Sequence, residues 1–169
     1  WLNRSKEYDK LNWVNDITFL NSFIKFCDLS KEDLVLDAGC GTGAVSRVIQ
    51  DKVKLVVACD YSYDMMHSSK LYEQVPSFEW DLEKSNFTLD CFDKVICRMV
   101  FHHFNNVGKG IENCYMMLKE GGQLIAQQTV APALNTEVED WYRKLIAIAK
   151  KKQVFTTKQL ENYFEDSRF

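Results

Sequence analysis

Apolar residues recur along this chain in two alternating rhythms, one helical and one extended. Over residues 12–27 they fall at Trp13, Ile17, Leu20, Ile24 and Cys27, one stripe of an amphipathic helix. A short apolar run predicts a strand at 34–38, and Val45, Val48 and Ile49 predict a helix over 43–51. A second strand follows at 54–59, with Ser62 placed to cap a helix carrying Met65, Met66 and Tyr72. Pro76 precedes a short third strand at 77–80, residues 81–92 read as polar loop, and 93–99 as a fourth strand. Asn106 suits the cap of a helix whose face is Val107, Ile111, Cys114, Tyr115 and Leu118. Gly121-Gly122 turns the chain into a fifth strand at 123–130, which Pro132 ends. Two capping boxes, Thr136 with Glu139 and Thr156 with Gln159, predict a helix to residue 151 and a last short one.

Strands that alternate with helices imply an α/β fold with a parallel sheet covered on both faces. Right-handed crossovers then put any ligand outside the carboxyl ends of the strands. The loops after Asp37, Asp60, Trp80 and Cys97 all open onto that edge.

The first of those loops carries the most chemistry. Val35-Leu36-Asp37-Ala38-Gly39-Cys40-Gly41-Thr42-Gly43 is an apolar strand, a carboxylate and three alternate glycines, followed by a helix. Glycines allow a sharp turn and a ligand's close approach to the backbone. Asp37 would repel a pyrophosphate but suits a positively charged cofactor. That favours S-adenosylmethionine, with its sulfonium and amino group, over a dinucleotide.

With these residues the chain resembles a class I S-adenosylmethionine-dependent methyltransferase. Within that group it resembles the small-molecule branch of the ubiquinone/menaquinone-biosynthesis enzymes (methyltransferase type 11). The likeness runs from about Tyr8 to the last residue and rests on motifs in register. These are the glycine loop, Asp60 ending the second strand, Ser62 and Met65 after it, Asp81 after the third strand, Phe92-Asp93 opening the fourth, and Gly121-Gly122 before the fifth. The resemblance implies a Rossmann-like, doubly wound sheet of strand order 3-2-1-4-5. It implies S-adenosylmethionine held by Tyr8, Asp37, Gly39, Cys40, Gly41, Gly43, Asp60, Tyr61, Met65, Asp81, Leu82 and Arg98. Asp60 would grip the ribose hydroxyls, since one carboxylate accepts two hydrogen bonds. Asp81 would take the adenine amino group and the Leu82 amide a ring nitrogen. Tyr61 and Met66 could flank the adenine, and Tyr8 would cover the cofactor.

His102 and His103 follow the fourth strand in Phe101-His102-His103-Phe104. An imidazole can take an acceptor's proton near neutral pH. Neighbours in extended chain point to opposite sides, so one of the two is expected to face substrate, with His103 preferred. No metal is expected, because adjacent histidines cannot readily chelate one ion and no acid stands at metal spacing. Catechol methyltransferases carry an aspartate where Cys97 and Arg98 stand here. The Asn/Asp-Pro-Pro-aromatic signature of DNA and glutamine-amide methyltransferases is also missing, which leaves a small-molecule acceptor. Two other classes remain: a nicotinamide-dependent oxidoreductase, since Gly39, Gly41 and Ala44 also satisfy Gly-x-Gly-x-x-Gly/Ala, and a non-catalytic cofactor-binding subunit.

Composition narrows the partners. A net charge of −3 argues against a nucleic-acid backbone. The basic run Lys150-Lys151-Lys152 closes a helix whose first turn is acidic, which suits the helix dipole. Six cysteines lack any Cys-x-x-Cys pair and read as small buried hydrophobes of a reducing, cytoplasmic setting. No apolar run is long enough to cross a bilayer. The 169 residues are expected to form one methyltransferase domain, with 1–30 as a helical cover. Five strand signals, where the class usually has seven, lead us to expect a chain cut short before the sixth. The fifth strand would then be an exposed edge through which two copies could pair.

Overall fold

The computed structural model describes residues 7–11, 14–84, 89–131, 153 and 155–167. Among the described residues the α-helices and strands follow in this order: α1 (Ile17–Phe26), β1 (Leu34–Ala38), α2 (Ala44–Ile49), β2 (Leu55–Asp60), α3 (Tyr63–Ser68), β3 (Ser77–Glu79), β4 (Phe92–Arg98), α4 (Val107–Tyr115), β5 (Leu118–Gln127), β6 (Val130–Ala131), β7 (Phe155–Thr156) and α5 (Thr157–Asp166). The first five strands form one sheet in the order β3-β2-β1-β4-β5, every neighbouring pair parallel. This is the expected order. It places the central strands β1 and β4, most of whose residues are buried, where both faces are covered.

Each face has its own core. Leu20, Phe23, Ile24, Val45, Ile49 and Leu71 pack against one side, and Phe101, Val107, Ile111, Cys114 and Met117 against the other. Lys94, in the middle of β4, is buried within this apolar setting. Its Nζ donates to the carbonyls of Cys27 (2.8 Å) and Asp28 (2.6 Å) and to Gln123 Oε1 (3.2 Å). These carbonyls belong to the cap residue of α1 and the residue after it, so the buried ammonium caps the helix end and fastens α1 to the sheet.

Several expectations change in detail. On α1 the buried stripe is Leu20, Phe23 and Ile24; at 100° per residue Ile17 falls on the edge of that stripe, and it is exposed. Ser62 occupies the cap position of α3 without a side-chain bond; its own N–H is held by Asp60 instead. Tyr72 lies in a 3₁₀ turn and is half exposed. The helix capped by Asn106 ends at Tyr115, and Leu118 already belongs to β5. That strand starts five residues early and stops at Gln127, its register against β4 shifting between Phe92 and Lys94, at Gly121-Gly122. The Thr156–Gln159 capping box forms as expected. Trp13 and the Thr136–Glu139 box lie outside the described residues. A short parallel pair, β6 with β7, had no sequence expectation. It docks α5, whose Phe164 meets Phe101 edge-on. The described cysteines are all unpaired thiols, and four of the six are buried.

Gly43 sits at the cap of α2 with φ +83°, and a β-carbon there would lie 2.3 Å from Leu71 Cδ1. Leu71 is itself fully buried and has no room to retreat. Gly43→Ala is therefore expected to lower stability by about 2 kcal/mol, from left-handed strain and overpacking together. Urea unfolding followed by circular dichroism checks this.

Candidate active site

The carboxyl ends of β1, β2, β3 and β4 surround one cavity of about 430 Å³. That volume lies in the range of small-ligand sites. Its walls include Tyr8, Asp37, Gly39, Cys40, Gly41, Asp60, Tyr61, Met65, Asp81, Leu82, Arg98 and His103. Of the candidates drawn from sequence, the structure leaves three off this wall: Gly43, His102 and Met66. Gly43 is spent on packing against Leu71. His102 is buried (4% exposed), its ring 4.0 Å from that of His103 and its Nδ1 within 3.1 Å of Gln128 Nε2. Met66, the other proposed adenine flank, is in the core beneath α3, while Tyr61 is largely exposed at the rim.

The floor is built by two carboxylates. Asp37, at the end of β1, is 1% exposed. One of its oxygens accepts both the N–H and the hydroxyl of Ser46 from the first turns of α2. Burial pushes its carboxyl up to about 6, against the lowering effect of those two bonds. Asp60, at the end of β2, reaches back to the glycine turn. Its Oδ2 accepts from Gly41 N–H (2.8 Å) and its Oδ1 from Ser62 N–H (2.8 Å). Each oxygen keeps a lone pair for a ligand hydroxyl. Burial raises the Asp60 carboxyl as well, and the two amides pull it back. Gly41 itself has φ +57°, and a β-carbon would project toward Met65 and Tyr8, both on the cavity wall. The bare backbone keeps that space open.

Past β3 the chain forms a tight loop. Asp81 Oδ1 accepts from Glu83 N–H (3.0 Å), and its other oxygen pairs with the exposed Lys84 (3.0 Å). Such a surface pair is weak enough to yield to a ligand. The indole N–H of Trp80, on the same wall, is buried without an acceptor among the described residues. Opposite, Arg98 at the end of β4 donates to Gln127 Oε1 (3.0 Å) and the Val14 carbonyl (3.3 Å) and lies 5.5 Å from the Phe19 ring centre. Met99 follows with φ +58°, an uncommon conformation for a side chain of its size, its N–H held by the Gln127 carbonyl (2.7 Å). The N-terminal segment closes over the glycine turn, where Asp9 accepts from the buried hydroxyl of Thr42 and Tyr8 lines the cavity. Sequence reasoning missed Trp80, Thr42 and Glu83. Trp80 reads as a strand residue, and nothing local to Thr42 or Glu83 tells which distant group each one meets.

A Rossmann-like sheet with acids at the ends of its first three strands and a glycine turn between them defines a class of nucleoside-binding α/β proteins. The family model described as "Methyltransferase domain" matches residues 36–126, more than half the chain, and the protein belongs to that family. It is 27% identical over 119 residues to the uncharacterized methyltransferase YcgJ of Bacillus subtilis, a match covering 67% of this chain and 47% of that protein. It is 31% identical over 102 residues to the rat mitochondrial ubiquinone biosynthesis O-methyltransferase, covering 53% of this chain and 29% of that one. The chain thus spans less than half the length of either relative. Among solved structures, YcgJ superposes with a TM-score of 0.78 at 22% identity, covering 88% of this chain and 67% of that one. The Haemonchus contortus phosphoethanolamine N-methyltransferase 2 in complex with S-adenosyl-L-methionine superposes with a TM-score of 0.75 at 19% identity, covering 94% and 40%. These likenesses share the fold. Among the described residues, no helix is long and apolar enough to cross a membrane.

Proposed function

We propose that this chain binds S-adenosylmethionine in the cavity at the ends of β1–β4 and transfers its methyl group to a small-molecule acceptor. The observation that carries this reading is the convergence of Asp37, Asp60, Asp81 and the open turn at Gly41 on one cavity. The residues present fit the cofactor. Asp60 offers two lone pairs for vicinal hydroxyls, and Gly41 leaves the space a β-carbon would fill. The buried Asp37 favours a cationic ligand, because a positive charge relieves the cost of its ionisation.

When bound, S-adenosylmethionine supplies the methyl group and the leaving thioether of an in-line displacement, so the protein's part is alignment and exclusion of water. Tyr8 and the Asp9–Thr42 bond close the cavity over the glycine turn. Asp81 and the Leu82 amide take the base at one end. His103 is the one histidine of the pair on the wall, and it serves as general base for an acceptor proton. Metal ions play no part in this scheme. A cavity of this size, in a chain of net charge −3, fits a small acceptor better than a nucleic acid.

Calorimetry with S-adenosylmethionine, S-adenosylhomocysteine and NAD tests the binding half; saturable binding of the first two and not of NAD is expected. Turnover over an acceptor panel tests the rest. His103→Ala is expected to lower turnover with S-adenosylhomocysteine affinity unchanged, and His102→Ala controls for damage to the turn. Cofactor binding without turnover on any acceptor would instead support a non-catalytic subunit.

A further inference from the structure

The two ends of the cavity are tied together by contacts that neither the family match nor the sequence motifs assign. Residues 81–84 form the wall after β3, and residues 103–106 form the wall after β4. Glu83 spans them. Its Oε1 accepts from the backbone N–H of Asn105 (2.7 Å) and of Asn106 (2.6 Å), and its Oε2 from Asn105 Nδ2 (3.3 Å). Two and three residues on from His103, these amides lead into α4, which Asn106 caps by accepting from Lys109 N–H.

A second tie lies beneath. Asn113, wholly buried on α4, donates from Nδ2 to the Leu82 carbonyl (2.6 Å). One helix therefore holds the 81–84 loop at two points, at its N-terminal shoulder through Glu83 and two turns on through Asn113. The Leu82 peptide cannot shift without pulling on α4, and the 103–106 turn cannot shift without losing a carboxylate acceptor. Hydrogen bonds to a charged group are among the stronger ones in proteins, so the Glu83 tie is the firmer of the two.

We propose that Glu83 and Asn113 are positioning residues that make the 81–84 loop and the His103–Asn106 turn one unit, so that filling the base end of the cavity orders the end where His103 stands. This rests on the cofactor reading above. By reciprocity, whatever orders the turn also tightens binding at the loop.

The test uses the chain with S-adenosylhomocysteine as probe, read by calorimetry and by amide hydrogen exchange over residues 103–107. In the unsubstituted chain the probe should slow exchange in that segment. Glu83→Ala loses all three of its bonds to Asn105 and Asn106; it should bind the probe about tenfold more weakly and should not transmit protection to 103–107. Glu83→Gln keeps a carbonyl oxygen able to accept both amides and should restore most of both readouts. A merely structural role would lower the melting temperature without separating probe binding from protection. Asn113→Leu removes the donor at similar volume and should likewise fail to transmit protection to 103–107; should it fail to fold, the Glu83 pair still decides. Probe affinity within twofold and unchanged protection in Glu83→Ala would overturn the proposal alone. No probe binding by the unsubstituted chain would overturn the cofactor reading, and this proposal with it.

Discussion

Asp60→Ala is expected to weaken S-adenosylhomocysteine binding by a hundredfold or more, about 3 kcal/mol, the scale of hydrogen bonds to a charged group. Two losses combine. The acceptor for the ribose hydroxyls goes, and so does the acceptor that holds Gly41 N–H at 2.8 Å and Ser62 N–H at 2.8 Å. The glycine turn is then free to drift from the position that leaves the cavity open. The carboxylate is held at its own cost, since burial raises its pKa. For that reason the variant should keep most of its thermal stability while losing affinity. Calorimetry at pH 7.5 beside a melting curve separates the two. Unchanged affinity would remove Asp60 from the site, and a collapsed melting curve would mark it as a residue of the fold alone.

What the sequence made legible follows from how local each signal is. The strand–turn–helix around Gly39–Gly43 is written in consecutive residues, so β1, α2 and the acid ending β2 appear where the apolar rhythm puts them. Strand order was legible as well, because parallel strands joined by helices, together with the resemblance, leave few arrangements. Residues whose role depends on a distant partner were not legible. Lys94 looks like an interruption of β4 until α1 delivers the carbonyls of Cys27 and Asp28 to it, 67 and 66 residues away. Glu83 looks like a loop charge until α4 brings up two amides. Ile17 fits the helical stripe by spacing, yet Phe23 shifts the buried face round the helix and leaves Ile17 at its exposed edge. The alternation argument for His102 and His103 assumed extended chain, which the structure does not have there. The two residues stand in a 3₁₀ turn, not a strand, with the His102 ring against that of His103 and its Nδ1 beside Gln128.

The second large effect concerns pH. Asp37 titrates near 6 in the folded chain, against about 3.9 when unfolded. A carboxyl whose folded pKa is raised penalises the folded state once it ionises. Its contribution is therefore most favourable below pH 4 and is lost as pH rises from 4 to 6. Two pH units at about 1.4 kcal/mol each make this loss roughly 3 kcal/mol. Asp37→Asn keeps a carbonyl that can accept both Ser46 bonds and removes the ionisation. It should raise the melting temperature at pH 7 and leave it unchanged near pH 4. Binding moves the other way. A cationic ligand stabilises the ionised Asp37, so the affinity of the unsubstituted chain for S-adenosylmethionine should fall up to tenfold per pH unit below 6. In Asp37→Asn the affinity should be lower at pH 7 and flat across that window. Calorimetry from pH 5 to pH 8 on both chains distinguishes the outcomes. Parallel pH profiles would show that no positive charge of the ligand is felt at Asp37. A stabilised variant with weakened binding would show that this carboxylate is kept in an unfavourable place for the sake of the ligand.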